Sequence, residues 1–469
     1  MDYISTRGEA PKLGFEDVLL AGLARDGGLY VPETWPKLAP EVIASFAGKR
    51  FADVAVEVIL PFVGDALKRA ELQAMADEAY ATFGHPAVTP LVEIGPNRFI
   101  LELFHGPTLA FKDVAMQLLA RLMDHVLAKR GQRATIAGAT SGDTGGAAIE
   151  AFRSSKRVDV VILFPDGRVS DVQRRMMTTP TEPNVHAVAI DGTFDDAQAL
   201  VKGMFNDHAF RDRVQLSGVN SINWARIVAQ VTYYFVAASA LGAPLREVSF
   251  VVPTGNFGDI FAGYVAAQMG LPISSLVIAS NANDILPRTV ATGRYEMRGV
   301  QATSSPSMDI QISSNFERYL FEASGRDAAL IRGFMGALKQ SGSFDLGPIT
   351  ERLQQEFKAA AASEEEVAEA IRRTKAEAGY LADPHTACGI VAADKTLGRE
   401  GGAVAQIILA TAHPAKFPDA IEAITGERPG LPARLAGLMT DEERITTLPA
   451  DLAAIENFIE GVSRAAAKA

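Results

Sequence analysis

The sequence predicts an α/β protein with parallel sheets flanked by helices. Near-continuous apolar segments such as VDVVILFP and EVSFVVP alternate with helical patterns through most of the chain. Strands of this kind are typical of parallel sheets that helices cover on both faces. Glycine-rich loops follow two of the predicted strands. Because ligands of such sheets bind beyond the carboxyl ends of the strands, these loops indicate a binding site.

The 469-residue chain is too long for one simple core, and its patterns predict four regions. Residues 1–95 form an opening unit, because the Pro/Gly-punctuated stretch DGGLYVPETWPKLAP and two short helical patterns precede the first strand. Residues 96–300 form the α/β core, with strands RATIAGA, VDVVILFP, NVHAVAI, VQLSGV, EVSFVVP and SSLVIAS between helices. Residues 301–380 are predicted as a helical, lid-side insertion from the charged pattern ERLQQEFKAAAASEEEVAEAIRRTKAEAGY. Residues 381–469 return to the large α/β domain with a buried strand, AVAQIILA, and end in an amphipathic helix.

Composition excludes several classes of protein. The formal net charge of -11 argues against a nucleic-acid or anionic-membrane partner. The single cysteine, Cys388, allows neither an intrachain disulfide framework nor a multi-cysteine metal site, and we expect no metal. The longest apolar run, from Ile227, contains Gln230 and Thr232, which favours a buried helix over a membrane span. The start of the chain lacks the apolar core of a signal peptide, so the expected compartment is the cytoplasm.

The loops GATSGDTGGAAIEAF and PTGNFGDIFAGYV each join a strand to a helix. Their glycines let backbone N–H groups face a ligand, and a helix N-terminus favours an anion there. Hydroxyl groups of Ser141 and Thr144 add donors to the first loop, and Gly255 and Gly258 flank the second. Either loop alone can also be an ordinary capped turn. Two of them in one α/β protein indicate two anions.

The segment NSINWARIVAQ gathers polar donors where another strand meets a helix. Ser221 and Asn223 precede Arg226, which could clamp a phosphate through two hydrogen bonds. The alternative is an exposed first helical turn with no ligand, and the residues alone leave both interpretations open.

Lys112 lies between apolar neighbours in FHGPTLAFKDVAMQ, at the root of a predicted core helix. Burial at such a position would lower the pKa of its amine and free the lone pair. A neutral amine beside a phosphate-bearing aldehyde forms a Schiff base. Pyridoxal 5'-phosphate fits that requirement together with a glycine-rich cup for its phosphate.

With these motifs the chain resembles the threonine synthase family, in the longer form found in many bacteria and fungi. YISTRGEAPKLGFEDVLLAGLARDGGLYVPE is similar to the family's N-terminal signature, and HGPTLAFKDVAMQ to its cofactor-lysine motif. GATSGDTGGAA resembles the substrate-carboxylate loop, PTGNFGDIFAGY the cofactor phosphate cup, and ATAHPAKF a late strand end. The motifs keep the family's order from residue 3 to residue 417. The resemblance implies a fold-type II pyridoxal-phosphate enzyme, which is tryptophan synthase β-like, with an added N-terminal domain and a helical insertion.

The resemblance implies a role for each candidate residue. Lys112 is the catalytic residue and is joined to the cofactor. Other cofactor-binding residues surround the phosphate or face the ring nitrogen: Gly255, Asn256, Phe257, Gly258, Asp259 and Thr411. Substrate-binding residues gather near its carboxylate or its phosphate: Thr140, Ser141, Asp143, Thr144, Ser221, Asn223 and Arg226. His385 is either part of a family motif or a packed structural histidine.

The reaction implied by the resemblance converts O-phospho-L-homoserine and water to L-threonine and phosphate, by γ-elimination and β-addition of water. It is the last step of threonine biosynthesis. The nearest alternative is a pyridoxal-phosphate phospholyase that gives 2-oxobutyrate, ammonia and phosphate. A weaker alternative is a non-catalytic metabolite-binding homologue. The expected partner is therefore a small molecule, with a monomer favoured over a dimer.

Overall fold

The fold is taken from a computed structural model that describes residues 1–140 and 142–466. The first 80 residues form a three-stranded antiparallel sheet, in the order β2-β1-β3, together with short helices. The elements are β1 (Asp2–Ser5), β2 (Leu13–Gly14), α1 (Phe15–Ala21), β3 (Tyr30–Pro32), α2 (Pro40–Ala44), α3 (Phe51–Val63) and α4 (Arg69–Tyr80).

The next stretch contains the alternating strands and helices that the apolar pattern predicts. Its first half comprises β4 (Leu91–Gly95), β5 (Arg98–Glu102), α5 (Lys112–Arg130), β6 (Ala134–Ala139), α6 (Asp143–Phe152), β7 (Val158–Pro165), α7 (Asp171–Thr178), β8 (Val185–Asp191), α8 (Phe194–Asn206), α9 (His208–Arg213) and β9 (Leu216–Ser217). Its second half comprises α10 (Trp224–Ala240), β10 (Val248–Pro253), α11 (Gly258–Gln268), β11 (Ile273–Ser280), α12 (Ile285–Thr292) and β12 (Arg294–Glu296).

The remaining elements complete the sheets and cover them. They are α13 (Phe316–Ala323), α14 (Ala328–Ser341), β13 (Ser343–Asp345), α15 (Ile349–Glu356), β14 (Phe357–Ala361), α16 (Glu364–Ala378), α17 (Pro384–Thr396), β15 (Ala405–Ala410), α18 (Pro418–Thr425), β16 (Thr446–Pro449) and α19 (Leu452–Val462). Short 3-10 helices span Gly64–Ala66, Pro306–Met308, Pro414–Lys416 and Ala433–Leu435.

Two mostly parallel sheets carry the α/β core, as the sequence predicts. The larger has six strands in the order β14-β11-β10-β15-β5-β4, and only the β4–β5 pair is antiparallel. The smaller has five parallel strands in the order β16-β8-β7-β6-β9. The last part of the chain therefore contributes a strand to each sheet, β15 to the larger and β16 to the smaller.

The centre of the molecule is α10, which the sequence predicts as a buried helix. Nearly every residue from Trp224 to Ser239 is buried. The helix packs against α3 and α5 within one apolar cluster that also takes in Tyr3 of the opening unit. Among the described residues, no helix is both long enough and apolar enough to cross a membrane.

Residues 301–380 differ in two places from the helical pattern that the sequence predicts, and the first is β13 (Ser343–Asp345), which pairs with β12. In the second, Phe357–Ala361 form β14, which pairs in parallel with β11 at the edge of the larger sheet. The prediction of helix was wrong there because pairing with a distant strand, and burial of Phe357, override the local preference. The helix that follows begins with a capping box between Ser363 and Glu366 and ends at Gly379, whose φ of 67° suits glycine.

Candidate active site

The loop before Lys112 is tied to the segment that follows β15. The N–H of Phe111 donates to the carbonyl of Thr411 at 2.8 Å, and Ala110 pairs with Ala412 in an isolated bridge. Lys112 is the first residue of α5, so its side chain leaves the helix at its N-terminal end. The backbone thereby brings the start of α5 close to Thr411.

The Lys112 amine is buried, with 8% of the residue exposed, and it faces one carboxylate among the described residues. Its Nζ donates to Oδ2 of Asp143 over a long 3.4 Å, and it lies 5.0 Å from the centre of the Phe111 ring. Burial lowers the pKa of the amine, against the charge of Asp143, while the charges of Lys416 and Arg226 lower it further. Such an amine gives up its proton more readily than an exposed lysine.

Asp143 accepts hydrogen bonds from several polar side chains around it. Its Oδ1 accepts from Nζ of Lys416 at 2.6 Å and from Nε2 of Gln173 at 2.8 Å. Its Oδ2 accepts from the Ser307 hydroxyl at 3.3 Å. Burial would raise the pKa of this carboxyl, but the ammonium groups of Lys416 and Lys112 outweigh that effect and hold the pKa well below its usual range. Asp143 is therefore an anion in the site.

The loop between β6 and α6 is shaped by Thr140 and by two glycines. Thr140 Oγ1 accepts from the N–H groups of Gly142 and Gly145 at 2.9 and 3.0 Å. Gly142 has a φ of 143°, and a Cβ there would lie 2.5 Å from Cδ of Gln173. Thr140 thus holds the loop rather than presenting its hydroxyl outward, and Thr144 is half-buried in the first turn of α6. Ser141, predicted to bind substrate, lies outside the described residues.

The predicted phosphate cup lies between β10 and α11. Phe257 has left-handed backbone geometry with a φ of 62°, and its ring is buried against Phe316, with ring centres 5.1 Å apart. A Cβ on Gly255 would lie 3.0 Å from the carbonyl oxygen of Ser307, so the cup admits no side chain there. The ring of Phe257 anchors the loop, which leaves the peptide groups around Asn256 and Gly258 at the start of α11.

The Asp259 carboxylate faces away from the cup and toward α10. Its Oδ1 accepts hydrogen bonds from the hydroxyls of Tyr233 and Tyr234, the latter at 2.9 Å. Burial raises the pKa of this carboxyl to about 6, against those two hydrogen bonds. Among the predicted cup residues, Asp259 therefore has only its backbone N–H to offer a phosphate.

The start of α10 holds a buried guanidinium. Arg226 is 3% exposed; one of its nitrogens donates to the carbonyl of Val219 at 3.0 Å, and its Nε has no partner among the described residues. No carboxylate in the described part of the chain pairs with it, and burial lowers its pKa to about 10. Asn223, by contrast, is occupied: its Oδ1 caps the helix at Ala225 N, and its Nδ2 donates to the carbonyl of Leu19.

Several residues of the site were not predicted from the sequence. Lys416 is 1% exposed and donates to the carbonyl of Thr108 at 2.8 Å as well as to Asp143. Like Lys112, Lys416 lies between apolar neighbours in a motif, and this local signal could have identified it. Ser307 and Gln173 carried no local signal, because only the fold brings them to Asp143.

His385 accepts a hydrogen bond from the backbone of Ser307. Its Nδ1 pairs with Oδ2 of Asp383 at 2.7 Å, and its Nε2 accepts from the N–H of Ser307 at 3.3 Å. The imidazole is buried beside the ring of Phe417, with centres 5.0 Å apart. Through Ser307 it is one contact removed from Asp143.

These residues fit a ligand that carries an aldehyde and a phosphate. The buried amine of Lys112 suits the aldehyde, and the cup at Gly255, together with the unpartnered Arg226 Nε, suits anionic groups. Among residues 1–140 and 142–466, no group of three or more histidine, cysteine, aspartate or glutamate side chains is arranged to hold a metal ion.

Comparison with known proteins agrees with that fit. The family model described as pyridoxal-phosphate dependent enzyme matches residues 83–409. The fold and the site thus define a pyridoxal-phosphate-dependent enzyme of fold type II. Two further models match either side of it: threonine synthase N terminus at residues 2–80, and threonine synthase, C-terminal at residues 386–459.

Individual relatives narrow the class. A threonine synthase from Pseudomonas aeruginosa is 52% identical over 461 residues, covering 98% of each chain, and one from Saccharomyces cerevisiae is 40% identical over 499 residues, covering 98% of this chain and 97% of that one. The crystal structure of a PLP-bound threonine synthase from Brucella melitensis superposes with a TM-score of 0.96 at 59% identity, covering 99% of this chain and 100% of that one. The chain belongs to the threonine synthase family.

Proposed function

We propose that this protein uses bound pyridoxal 5'-phosphate to convert O-phospho-L-homoserine and water into L-threonine and inorganic phosphate. The observation that carries the proposal is the buried Lys112 amine beside Asp143, in a chain whose full length matches the threonine synthase family. Arg226 at the start of α10, whose Nε has no partner among the described residues, adds a cation for a phosphorylated substrate.

For the cofactor, we assign Lys112 as the point of attachment. The peptide groups of Gly255, Asn256, Phe257 and Gly258, with the N–H of Asp259, surround its phosphate, and the Thr411 hydroxyl faces the ring nitrogen. The side chain of Asp259 is left out of this assignment because the two tyrosines of α10 occupy it.

For the substrate, we assign Arg226 and Ser221 to the phosphate. Thr144, Asp143 and Ser141 are assigned to the loop that meets the carboxylate. Thr140 and Asn223 act through the backbone that they hold, since Thr140 Oγ1 caps the loop of α6 and the Asn223 amide caps α10.

Bound pyridoxal phosphate supplies a conjugated ring that accepts the electrons of C–H bonds broken at Cα and Cβ. Lys112 Nζ would move the protons: one leaves Cα and one leaves Cβ as phosphate departs from Cγ, one is then given to Cγ, and one is returned to Cα. Water adds its hydroxyl at Cβ, and its remaining proton goes to the released phosphate. One amine held over one face of the substrate can serve successive transfers. Burial lowers the pKa of that amine, so it loses its proton more readily than an exposed lysine, as a general base requires.

Product analysis tests the proposal. The enzyme is incubated with O-phospho-L-homoserine, and threonine, 2-oxobutyrate, ammonia and phosphate are measured together, with Lys112→Ala as the inactive control. We expect equal amounts of threonine and phosphate. Phosphate accompanied by 2-oxobutyrate and ammonia would identify a phospholyase instead, and the absence of turnover would favour the metabolite-binding alternative.

We also propose that the protein works in the cytoplasm as a monomer. A phosphorylated amino acid does not cross a bilayer unaided, so the enzyme belongs in the compartment that produces its substrate. The residues assigned to the cofactor and the substrate all lie in this chain, as a monomeric enzyme requires. Cell fractionation and light scattering of the purified protein test the two statements.

A further inference from the structure

The two oxygens of Asp143 are held very differently. Oδ1 makes short contacts of 2.6 Å with Lys416 Nζ and 2.8 Å with Gln173 Nε2. Within the described part of the chain, Oδ2 makes only long ones, 3.4 Å to Lys112 Nζ and 3.3 Å to the Ser307 hydroxyl. The carboxylate is thus anchored by the oxygen that faces away from Lys112.

Lys416 is itself fixed on both sides. It is 1% exposed, donates to the carbonyl of Thr108 at 2.8 Å, and Thr108 in turn holds the buried Asp113 through its N–H and its hydroxyl. A buried ammonium in this position has little freedom to leave Asp143. Its place is set by the loop at the root of α5, the same loop that places Lys112.

From this geometry we infer that Lys416 is a positioning residue for Lys112. By pairing with Oδ1 of Asp143, Lys416 keeps that carboxylate from closing its 3.4 Å contact with Lys112 into a short ion pair, and the charge of Lys416 directly opposes a proton on the Lys112 nitrogen. The inference deepens the proposed function and rests on its assignment of Lys112.

The charges around the Lys112 nitrogen give the direction of each effect. Asp143 on α6 favours its protonated form, while Lys416 after β15 and Arg226 on α10 oppose it. Asp113 lies next to Lys416 and is common to every variant considered. Removal of Lys416 takes away one opposing charge and leaves Asp143 to bind the nitrogen, so both consequences raise the proton affinity of Lys112.

The test is a pH titration of the visible absorbance of the purified, cofactor-loaded enzyme, which reports protonation of the nitrogen bonded to the cofactor. We expect the midpoint to rise by about one pH unit in Lys416→Met, roughly a tenfold gain in proton affinity. Asp143→Asn is expected to lower the midpoint. The double variant has lost one charge of each sign and is expected to return close to the wild-type value.

Lys395→Met is the matched control. Lys395 also joins a carboxylate, Glu366, and a carbonyl, that of Ala361, at 2.7 and 2.8 Å, but it lies outside the site. Its replacement is expected to leave the midpoint unchanged. A purely structural role for Lys416 would lower stability without moving the midpoint and without rescue by Asp143→Asn, and either result overturns the inference.

If Lys416→Met does not fold, Asp143→Asn and the double variant still decide the matter. With the Asp143 charge gone from both, the double variant is expected to titrate at the higher pH, and equal midpoints overturn the inference. A wild-type enzyme whose visible band does not titrate overturns it as well. Midpoints that move as expected in an enzyme that makes no threonine contradict only the proposed reaction.

Discussion

Arg226 carries its charge into the interior, and no carboxylate within residues 1–140 and 142–466 pairs with it. Burying a guanidinium costs free energy, and the single bond to the carbonyl of Val219 does not neutralise it. An anionic ligand would supply both the missing charge and an acceptor for Nε. We therefore attribute the burial of Arg226 to the proposed phosphate ligand rather than to a contribution to stability.

Replacement of Arg226 by alanine is expected to weaken O-phospho-L-homoserine binding by about 1.5–3 kcal/mol, because a charge-assisted hydrogen bond is lost. Steady-state kinetics and a binding titration on the Lys112→Ala background measure the loss. Arg428→Ala is the control, since Arg428 is half exposed and pairs with Asp419 and Glu422 away from the site. Unchanged substrate affinity in Arg226→Ala would remove Arg226 from the phosphate site.

The burial of Asp259 makes the stability of the folded protein depend on pH, and it sets the direction of that dependence. Its pKa is raised from an ordinary 3.8 to about 6, so the folded state favours the neutral carboxyl. Stability from this group is fully present below pH 4 and is lost as pH rises through 6. Asp259→Asn keeps an oxygen for Tyr233 and Tyr234 without the charge.

The free energy of unfolding of the wild type, relative to Asp259→Asn, is therefore expected to fall by on the order of 2 kcal/mol between about pH 4 and pH 7. Denaturant unfolding at several pH values measures it, with the exposed Asp65→Asn as control. Asp113, whose pKa is also raised, is present in both proteins and cancels. Parallel pH profiles for the wild type and Asp259→Asn would contradict this account of Asp259.

The sequence predicts these positions as parts of the site, but it does not predict the direction in which their side chains point. Lys112 was predicted because its apolar neighbours and its motif are local signals. The orientation of Asp259 depends on two tyrosines about 25 residues earlier, and the capping role of Asn223 depends on Leu19 as well as on its own helix. Contacts of that range leave no trace in the local pattern.

At the scale of elements, the start of α13 joins the two loops assigned to the phosphates. The Asn315 amide donates to the carbonyls of Ser221 and Asn256, each at 3.1 Å, and the Asn315 N–H donates to Asn256 O at 3.0 Å. The fully buried Arg318 adds a bond of 2.6 Å to the carbonyl of Ile222. One short helix thus fixes the spacing between the cofactor cup and the start of α10.

Asn315→Ala is expected to weaken both phosphate sites together, each by about 1 kcal/mol, because the loops lose a shared anchor. The dissociation constant of the cofactor and the KM for O-phospho-L-homoserine are the measurements. Gln354→Ala removes a similar amide-to-carbonyl bond, to Val290, on the surface and serves as control. A change confined to one of the two ligands would show that α13 does not couple the loops.

The strands of the core were predictable because both of their faces are buried, which makes them near-continuous apolar runs. β14 was not predictable for the opposite reason. Phe357–Ala361 is short, contains three alanines and lies among helix formers, and only its register against Leu276–Ser280 makes it a strand.

At the scale of the whole molecule, the opening unit and the core form one body around the site. Thr6 Oγ1 donates to Glu317 of α13 at 2.6 Å, and Arg7 pairs with the same carboxylate at 3.0 Å. Trp224, at the start of α10, packs against Tyr3 and Phe62 with ring centres 5.9 and 5.8 Å apart. The opening unit therefore packs against α10 and α13, the helices that position Arg226 and Asn315.

The proposed reaction depends on the attachment of the cofactor to the buried amine of Lys112. Chemical labelling of that amine tests the attachment most directly. The purified enzyme is reduced with borohydride, digested, and mapped by mass spectrometry for a pyridoxyl group. We expect the pyridoxyl group on the peptide that contains Lys112 and not on the peptide that contains Lys416. A pyridoxyl group on another lysine, or on none, would contradict this expectation.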